Sequence, residues 1–217
     1  MPKFKHEVLK VCEVFFSIQG EGPLIGFPTF FIRLFGCNLN CSWCDTNYAK
    51  PPNEFKEVSI KEIIKVWQNT SQSPYVTITG GEPLIQENVY PLIKKLISLG
   101  ASVSLETNGS IKLDKVPKEV IKVMDVKTPS SGMDKFNLYE NFNYLEKKDA
   151  IKFVIKDKED FNFSIEIVKK YELLYKAQVI FSPVYKELEP GKLARWILET
   201  RLPIRMQIQL HKYLNLC

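Results

Sequence analysis

The segment Pro28-Thr-Phe-Phe-Ile-Arg-Leu-Phe-Gly-Cys-Asn-Leu-Asn-Cys-Ser-Trp-Cys44 joins an apolar run to a cluster of three cysteines. The run Thr29–Leu34 is rich in β-branched and aromatic residues, and it predicts a buried β-strand. Cys37, Cys41 and Cys44 then follow within eight residues. A chemically equipped loop directly after a buried strand is typical of parallel α/β sheets, in which the carboxyl ends of the strands build the active site.

The rest of the chain alternates between apolar runs of strand type and stretches with helical periodicity. Further strands are predicted at Tyr75–Thr79, Ser102–Glu106, Ile121–Val126, Ala150–Ile155, Gln178–Phe181 and Arg205–Leu210, with an earlier edge strand at Val11–Ile18. Helices are predicted at Ser59–Thr70, Glu87–Leu99, Asn137–Lys147, Asp160–Tyr175 and Pro190–Thr200. The polar, proline-containing stretch Asn47–Val58 is expected to form a long loop after the cysteines.

Two of the helices carry explicit end signals. Ser59 and Glu62 have the spacing of a capping box, in which each side chain satisfies a backbone N–H at the start of a helix. Gly100 directly follows the second helix, where a residue in the left-handed conformation commonly ends an α-helix. These signals place helices between the predicted strands.

Strands separated by single helices predict βαβ units and a parallel sheet, which is the α/β class. The chain has room for about six such units, fewer than the eight of a closed barrel, so a partial, open βα barrel is expected. An open doubly wound sheet is the alternative. No internal repeat, low-complexity segment or linker interrupts the sequence, and one domain is expected over residues 1–217.

Composition narrows the class of protein. Hydrophobic residues make up 45% and charged residues 25% of the 217 positions, as in ordinary globular proteins. The net charge is +5, but acidic and basic residues alternate, which indicates a solvated surface without direct nucleic-acid binding. The sequence contains neither a signal-peptide core nor a run of about 18 apolar residues, so no membrane partner is expected. Five cysteines, three of them clustered, do not suit a secreted disulfide framework, and a cytoplasmic location is expected.

The cysteine cluster predicts a metal centre. Thiolates of Cys37, Cys41 and Cys44 on one short loop can hold three irons of a cubane and leave the fourth iron without a protein ligand. An open metal position is what makes a site catalytic. The alternative is a zinc site completed by a distant fourth ligand. The histidines are His6 and His211, and the other two cysteines are Cys12 and Cys217, all far away in sequence.

Other polar segments follow predicted strands and are expected on the same rim: Gly80–Pro83, Glu106–Gly109, Lys127–Gly132 and Ser182–Val184. A further polar segment, Ser17-Ile-Gln-Gly-Glu-Gly-Pro23, precedes the cysteines. Arg33 lies inside the apolar run Phe30–Phe35, and an arginine buried there requires an anionic partner. The alternative is an edge-strand arginine whose guanidinium reaches water.

The pattern Cys37-x3-Cys41-x-Trp43-Cys44, followed by Gly80-Gly81-Glu82-Pro83, resembles the radical S-adenosylmethionine (radical SAM) superfamily. The resemblance implies a [4Fe–4S] cluster on the three cysteines, with S-adenosylmethionine on the open iron and a 5′-deoxyadenosyl radical that abstracts a substrate hydrogen. It also implies that Trp43 packs near the adenine and that Glu82 accepts from the ammonium group. The other implied cofactor contacts are Cys44, Asp45, Gly81, Glu106, Thr128, Pro129, Ser130, Ser182, Pro183 and Val184.

The segments Gln19-Gly-Glu-Gly22, Cys44-Asp-Thr46 and Gln209-Leu-His-Lys212 together resemble the 7-carboxy-7-deazaguanine synthase family, which serves queuosine and other deazapurine pathways. The resemblance spans nearly the whole chain. It implies a carbon–nitrogen lyase that converts 6-carboxy-5,6,7,8-tetrahydropterin to 7-carboxy-7-deazaguanine with loss of ammonia. Hydrogen abstraction at C6 would begin the reaction, and Mg²⁺ would assist the ring contraction.

The same resemblance implies a role for particular residues. Arg33 would pair with the substrate carboxylate, and Thr46 would bring the Mg²⁺ alongside the substrate. The other implied substrate contacts are Gln19, Gly20 and Glu21 at the pterin edge, Thr79, His211, and the terminal carboxylate of Cys217. The thiol of Cys217 departs from what the family leads us to expect at this terminus.

These interpretations imply binding partners and leave two alternative functions open. The resemblance implies a homodimer and a low-potential electron donor such as a flavodoxin or ferredoxin. One rival function is a small radical SAM activase that installs a glycyl radical in a partner protein, which leaves Gln19, Glu21 and Arg33 unexplained. The other rival, from a different class, is a non-catalytic zinc-binding module.

Overall fold

A computed structural model describes residues 7–216, which build one nine-stranded sheet with helices packed against it. The strands are β1 (Val8–Ile18), β2 (Pro28–Leu34), β3 (Lys56–Ser59), β4 (Tyr75–Gly80), β5 (Ser102–Thr107), β6 (Ile121–Val126), β7 (Ala150–Ile155), β8 (Gln178–Pro183) and β9 (Arg205–Met206). The α-helices are α1 (Ile60–Thr70), α2 (Val89–Ser98), α3 (Lys158–Lys170), α4 (Leu173–Lys176), α5 (Pro190–Thr200) and α6 (Leu210–Leu214). Short 3₁₀ turns occupy Asn47–Ala49, Pro83–Ile85, Pro129–Ser131, Asp134–Phe136 and Tyr139–Tyr144.

The strand order is β3-β1-β2-β4-β5-β6-β7-β8-β9. From β2 to β9 every neighbouring pair is parallel and the order follows the chain, while β1 pairs antiparallel with β2 and β3. A doubly wound sheet would reverse its strand order at a switch point, and this sheet does not. The sheet also stays open, so the partial βα barrel is confirmed and the doubly wound alternative is wrong.

The two faces of the sheet differ in chemistry because successive side chains of a strand point to opposite faces. On the helix side, Ile78, Leu105 and Phe153 are completely buried in the main hydrophobic core. Their alternating neighbours on the other face include the polar Glu106 and Lys152. The parallel strands therefore present an apolar face to the helices and a partly polar interior to the barrel.

The predicted helix ends are largely confirmed. The Ser59 hydroxyl accepts from the Glu62 N–H at 3.2 Å, and the Glu62 carboxylate accepts from the Ser59 N–H at 2.9 Å, which completes the capping box. Gly100 follows α2 with a φ of +87°. The helix predicted at Asp160–Tyr175 is interrupted instead, because Glu172 adopts a left-handed conformation between α3 and α4. Among residues 7–216 no helix has the length and apolar character needed to cross a bilayer.

The helix predicted at Asn137–Lys147 is wrong: this stretch forms only the 3₁₀ turn Tyr139–Tyr144. Asn141 explains the difference. Its buried side chain accepts from the Leu113 N–H at 3.0 Å and donates to the carbonyls of Gly109 and Ile111. An asparagine that satisfies a neighbouring loop in this way competes with regular helix formation.

Two strand predictions also need correction. β3 begins within the predicted loop Asn47–Val58 and ends at Ser59, and it pairs with β1, so β1 is the second strand from the edge. β9 has two residues where a longer strand was predicted at Arg205–Leu210. The chain leaves the sheet there because the Gln207 side chain accepts from the Gly22 N–H and donates to the Gly22 carbonyl, at 2.9 and 2.8 Å.

A buried ion pair joins the starts of β6 and β7. The Lys122 ammonium lies 3.3 Å from the Asp149 carboxylate, and the two side chains are 2% and 0% exposed. Asp149 also accepts from the backbone N–H groups of Lys122 and Glu146. A carboxylate this deeply buried depends on its charged partner.

We expect Lys122→Met to destabilise the protein by about 3–5 kcal/mol, because the Asp149 charge would stay buried without its cation. Urea denaturation followed by circular dichroism measures the free energy of unfolding. Lys94→Met on the exposed face of α2 is the matched control and should change it by less than about 0.5 kcal/mol. Equal stability of the two variants would contradict this role of the pair.

Candidate active site

A cavity of about 610 Å³ lies at the carboxyl ends of the parallel strands. The cavity wall includes most of the residues that the sequence singled out. They are Gln19, Gly20, Glu21, Arg33, Thr79 and His211 of the predicted substrate set, Trp43, Asp45, Gly81, Glu106 and Val184 of the cofactor set, and Cys37, Cys41, Cys44 and Thr46 of the metal set. The fold therefore brings together, on the predicted rim, residues that are up to about 190 positions apart in the chain.

Some predicted residues lie elsewhere. Glu82, Thr128, Pro129, Ser130, Ser182 and Pro183 do not line this cavity, and Cys217 lies outside the described residues. The Thr128 hydroxyl donates to the Val154 carbonyl at 3.0 Å. The Ser130 hydroxyl and N–H both donate to the buried Asp160 carboxylate. These contacts attach the loop after β6 to the start of α3.

The three thiols suit an iron–sulfur cluster. Cys37, Cys41 and Cys44 are unbridged and half-buried, and all three line the cavity. Within residues 7–216 no three His, Cys, Asp or Glu side chains are grouped to hold a single metal ion. A cubane takes one thiolate per iron from three separate positions, whereas zinc needs its ligands converged on one ion. The donor set therefore fits the cluster.

The glycine pair Gly80–Gly81 at the end of β4 packs against the start of the cysteine loop. A Cβ on Gly81 would lie 2.1 Å from the Gly36 carbonyl oxygen, and one on Gly80 would lie 2.1 Å from that of Leu34. Gly80 also has a φ of +146°. The Gly81 N–H donates to Leu34 and the Glu82 N–H donates to Gly36, at 3.2 and 2.8 Å. The backbone that approaches these glycines is therefore the start of the cysteine loop itself.

Glu82 is completely buried, and its carboxylate is occupied by the protein. It accepts from the N–H groups of Leu84 and Asn108, at 3.0 and 2.6 Å, and from the Thr107 hydroxyl at 3.0 Å. Burial raises the pKa of Glu82 to about 6, although these donors act in the opposite direction. In this arrangement Glu82 ties the end of β4 to the end of β5, where the sequence predicted an acceptor for a ligand ammonium group.

Gln19 and Glu106 form a hydrogen-bonded unit on the cavity wall. The Gln19 amide donates to the Thr77 hydroxyl at 3.0 Å and to Glu106 at 3.2 Å, and its carbonyl accepts from the Glu21 N–H. Glu106 also accepts from the Thr79 hydroxyl at 2.8 Å. Burial, and then the Glu21 charge, raises the pKa of Glu106. Glu106, predicted for the cofactor, thus lies among the predicted substrate residues.

A chain of charges crosses the barrel interior. Lys152 lies 2.8 Å from Glu21 and 3.8 Å from Asp125, and Asp125 lies 3.0 Å from Lys127. Burial acts to lower the pKa of Lys152, but the carboxylates of Glu21, Asp125 and Glu106 outweigh it, so the pKa is raised. One oxygen each of Glu21 and Asp125, Oε1 and Oδ1, is buried and has no hydrogen-bond partner among residues 7–216.

Sequence reasoning missed Asp125 and Lys152, and it named Lys127 only as the first residue of the rim segment Lys127–Gly132. A signal was present, because Asp125 and Lys152 are charged residues inside the predicted strands Ile121–Val126 and Ala150–Ile155. A charge within a strand of a parallel sheet is costly unless it is paired, and such strands are otherwise apolar. The pattern could have indicated an interior charged site on β6 and β7.

The segment after β9 closes one side of the cavity. The Leu210 N–H donates to the Gly20 carbonyl at 3.1 Å, and a Cβ on Gly20 would meet the His211 ring at 2.2 Å. Asp45 accepts from the Gln209 amide at 3.0 Å and pairs with Lys212 at 3.3 Å. These contacts connect the segment to both the glycine-rich loop and the cysteine loop.

Comparisons with known proteins agree with this geometry. Residues 31–172 match the Radical SAM superfamily. The chain is 37% identical to a 7-carboxy-7-deazaguanine synthase of Koribacter versatilis, over 95% of this chain and 96% of that protein. It is 39% identical to one of Methanospirillum hungatei, over 99% and 89%. In fold it is similar to the crystal structure of QueE from Escherichia coli, with a TM-score of 0.79 and 22% identity over 95% and 96% of the two chains.

The raised pKa of Glu82 predicts a pH-dependent stability. The native state keeps this proton up to about pH 6, whereas the unfolded chain releases it near the ordinary value of 4.5. The contribution of Glu82 to stability is therefore complete below the lower value and is lost as the pH rises through the higher one. Between about pH 4 and about pH 7, we expect the free energy of unfolding to fall by about 2 kcal/mol relative to that of Glu82→Gln.

Urea denaturation of both proteins across this pH range measures the difference. The control is Glu54→Gln, which changes an exposed carboxylate in the loop before β3. Its difference from the unmodified protein should stay constant with pH. A constant difference for Glu82→Gln as well would show that burial does not shift the Glu82 pKa.

Proposed function

The chain belongs to the Radical SAM superfamily and, within it, to the 7-carboxy-7-deazaguanine synthases, and we propose on this basis that it converts 6-carboxy-5,6,7,8-tetrahydropterin to 7-carboxy-7-deazaguanine with loss of ammonia. One observation carries the proposal: a single cavity has three free cysteines on its wall together with Arg33 and an unpartnered oxygen of Glu21. Its volume of about 610 Å³ is typical of small-molecule sites. The activase alternative requires a surface that docks a protein substrate. A small-molecule cavity explains these residues without such a surface.

Cys37, Cys41 and Cys44 would hold the [4Fe–4S] cluster that membership of the superfamily implies, next to S-adenosylmethionine. When bound and supplied with an electron by a reductant, these groups would supply the radical chemistry that removes a hydrogen atom from the substrate. The protein itself contributes position, since a reactive radical requires near-contact placement of the right C–H bond. Trp43 and Val184 line the cavity and offer apolar surface for the adenosine part of the cofactor.

Arg33 and Glu21 would orient the pterin. The Arg33 side chain is 14% exposed, and a bidentate pair with the substrate carboxylate would fix both distance and angle. Glu21 uses one oxygen on Lys152 and has Oε1 left over, which suits an N–H donor of the pterin edge. An unpaired group of this kind in a closed site costs about 1–3 kcal/mol, so a ligand that satisfies it is favoured.

The neighbouring residues would hold these two groups and exclude water. Gln19 and Thr79 fix the Glu106 carboxylate on the wall, and Gln19 also accepts from the backbone of Glu21. His211 lies against Gly20, and burial lowers its pKa, which favours a neutral imidazole beside the substrate. The segment that carries His211 would shield the radical from competing hydrogen donors.

The proposal is tested by anaerobic reconstitution with iron and sulfide, followed by addition of S-adenosylmethionine, reductant, Mg²⁺ and the carboxylated pterin. Mass spectrometry should detect 7-carboxy-7-deazaguanine. Arg33→Ala should lower turnover by about 100-fold or more while its iron content and visible spectrum stay unchanged, because the substitution removes the partner of the substrate carboxylate and leaves the three cysteines in place. Arg195→Ala on the exposed face of α5 is the matched control. Formation of 5′-deoxyadenosine with an unconsumed pterin would remove this substrate assignment.

Mg²⁺ is proposed to bind beside Thr46. The Thr46 hydroxyl lies 3.7 Å from the Cys44 sulfur and 3.5 Å from the Gly80 carbonyl, on the wall of the cavity. Residues 7–216 provide no cluster of acidic ligands for this ion. Mg²⁺ commonly keeps several waters and shares ligands with its substrate, so a hydroxyl plus substrate oxygens would suffice.

We expect Thr46→Ala to raise the Mg²⁺ concentration for half-maximal turnover by about tenfold, because one of few protein ligands is lost. Initial rates at varied Mg²⁺ measure this shift. Thr70→Ala at the exposed end of α1 should leave the titration unchanged. If Thr46→Ala titrates like the unmodified enzyme, the metal does not use this hydroxyl.

A further inference from the structure

Arg33 is held by three side chains that nothing above assigns to the reaction. Its Nε lies 2.7 Å from Oε1 of Glu13. Its guanidinium carbon lies 5.6 Å from the ring centre of Phe15 and 5.5 Å from that of Tyr48. Phe15 and Tyr48 line the cavity together with Arg33. The guanidinium therefore has a carboxylate on one edge and aromatic rings around it.

The β1–β2 pairing explains how Glu13 reaches Arg33. The two residues are direct partners in the antiparallel register, which places their side chains on the same face of the sheet. The register shifts between Val11 and Glu13, so Cys12 is an extra residue in β1. A bulge of this kind re-aims the side chains that follow it. Here it turns Glu13 and Phe15 toward the cavity face.

The hydrogen bonds of Arg33 leave one edge of the guanidinium available. Among residues 7–216, Glu13 is its hydrogen-bond partner, and that contact uses Nε alone. The Nη1 and Nη2 groups have no protein acceptor within this part of the chain. A guanidinium presents two parallel N–H donors along this edge, the geometry that a carboxylate accepts in a bidentate pair.

Tyr48 holds the Glu13 carboxylate in place. Its hydroxyl donates to the same Glu13 oxygen at 2.9 Å, so this oxygen is fixed by two donors. Tyr48 follows Thr46 by two residues, so this contact also links Arg33 to the end of the cysteine loop.

We propose that Glu13 and Tyr48 are positioning residues that turn the Nη1–Nη2 edge of Arg33 toward the cavity, and that the site thereby selects pterins that carry a carboxylate. This inference rests on the proposed function, in which Arg33 pairs with the substrate carboxylate. Glu13 also compensates the Arg33 charge before substrate arrives, which reduces the cost of burying an unpaired cation. An Arg33 released from Glu13 would sample several rotamers and lose part of its selectivity.

The test compares Glu13→Ala, Glu13→Gln and Tyr48→Phe with Glu57→Ala, which changes an exposed residue of β3. The Glu13 side chain is 40% exposed, so its substitution leaves the core intact. Isothermal titration calorimetry on reconstituted protein measures the affinity for 6-carboxytetrahydropterin and for tetrahydropterin without the carboxylate. Steady-state kinetics measures KM and kcat for the carboxylated pterin.

Glu13→Ala should weaken binding of the carboxylated pterin by about tenfold and leave binding of the other pterin unchanged, because only the carboxylate contact is affected. The loss should appear in KM more than in kcat. Glu13→Gln keeps an oxygen acceptor for Nε and should recover most of the selectivity. Tyr48→Phe should lose about two- to fivefold, because it removes one of the two donors to the Glu13 oxygen and leaves the Arg33–Glu13 pair in place.

Three outcomes separate this inference from the proposed function. If the unmodified enzyme forms product and Glu13→Ala and Tyr48→Phe retain full selectivity for the carboxylated pterin, the positioning role is overturned. Equal loss of affinity for both pterins in Glu13→Ala overturns it too, since that indicates a general structural effect. If the unmodified enzyme forms no product from the carboxylated pterin, the proposed function itself fails.

Discussion

The close approach of the turn after β4 to the end of β2 is the constraint on which the site depends. Gly80 and Gly81 let two backbone segments approach closer than any Cβ would allow, and backbone hydrogen bonds to Leu34 and Gly36 hold them there. The cysteine loop begins at that point. Glu82 then carries the constraint to β5, since it fixes Asn108, whose amide lies 3.8 Å from the Cys37 sulfur and 3.1 Å from the Asn38 side chain.

The barrel interior shows how function shapes the energetics of the fold. The helix-side face of the sheet is largely apolar, with Lys122 as a buried exception, whereas the interior holds Glu21, Asp125, Lys127 and Lys152 in one charged chain. Replacing buried ion pairs by apolar residues is often neutral or stabilising, so such a chain is weak evidence for a role in stability. Within residues 7–216, Glu21 Oε1 and Asp125 Oδ1 have no hydrogen-bond partner, and both residues line the cavity. Arg33 is likewise a charged group that is only partly paired: Glu13 occupies one edge of its guanidinium.

Local sequence signals predicted the helices and strands well where no distant contact changed the local structure. Alternating and helical periodicities located β4, β6, β7, α1 and α5, and the capping box of Ser59 and Glu62 fixed the start of α1. The failures have tertiary causes. Asn141 bonds to a distant loop and suppresses a helix, Gln207 bonds to Gly22 and ends β9 early, and β3 exists because β1 offers it an edge. No local pattern contains the partner that decided each of these cases.

The sequence by itself determined the class of fold, the cysteine donor set and the rim on which the site lies, because periodicity and spacing are local properties of the chain. Only the tertiary structure decided what each polar group contacts. It placed Glu106 beside Gln19 and Thr79, enclosed Glu82 among Leu84, Thr107 and Asn108, and paired Glu13 with Arg33. The physical reason is that a side chain's type states what it can donate or accept, while its partner is set by which strands and loops lie next to it in space.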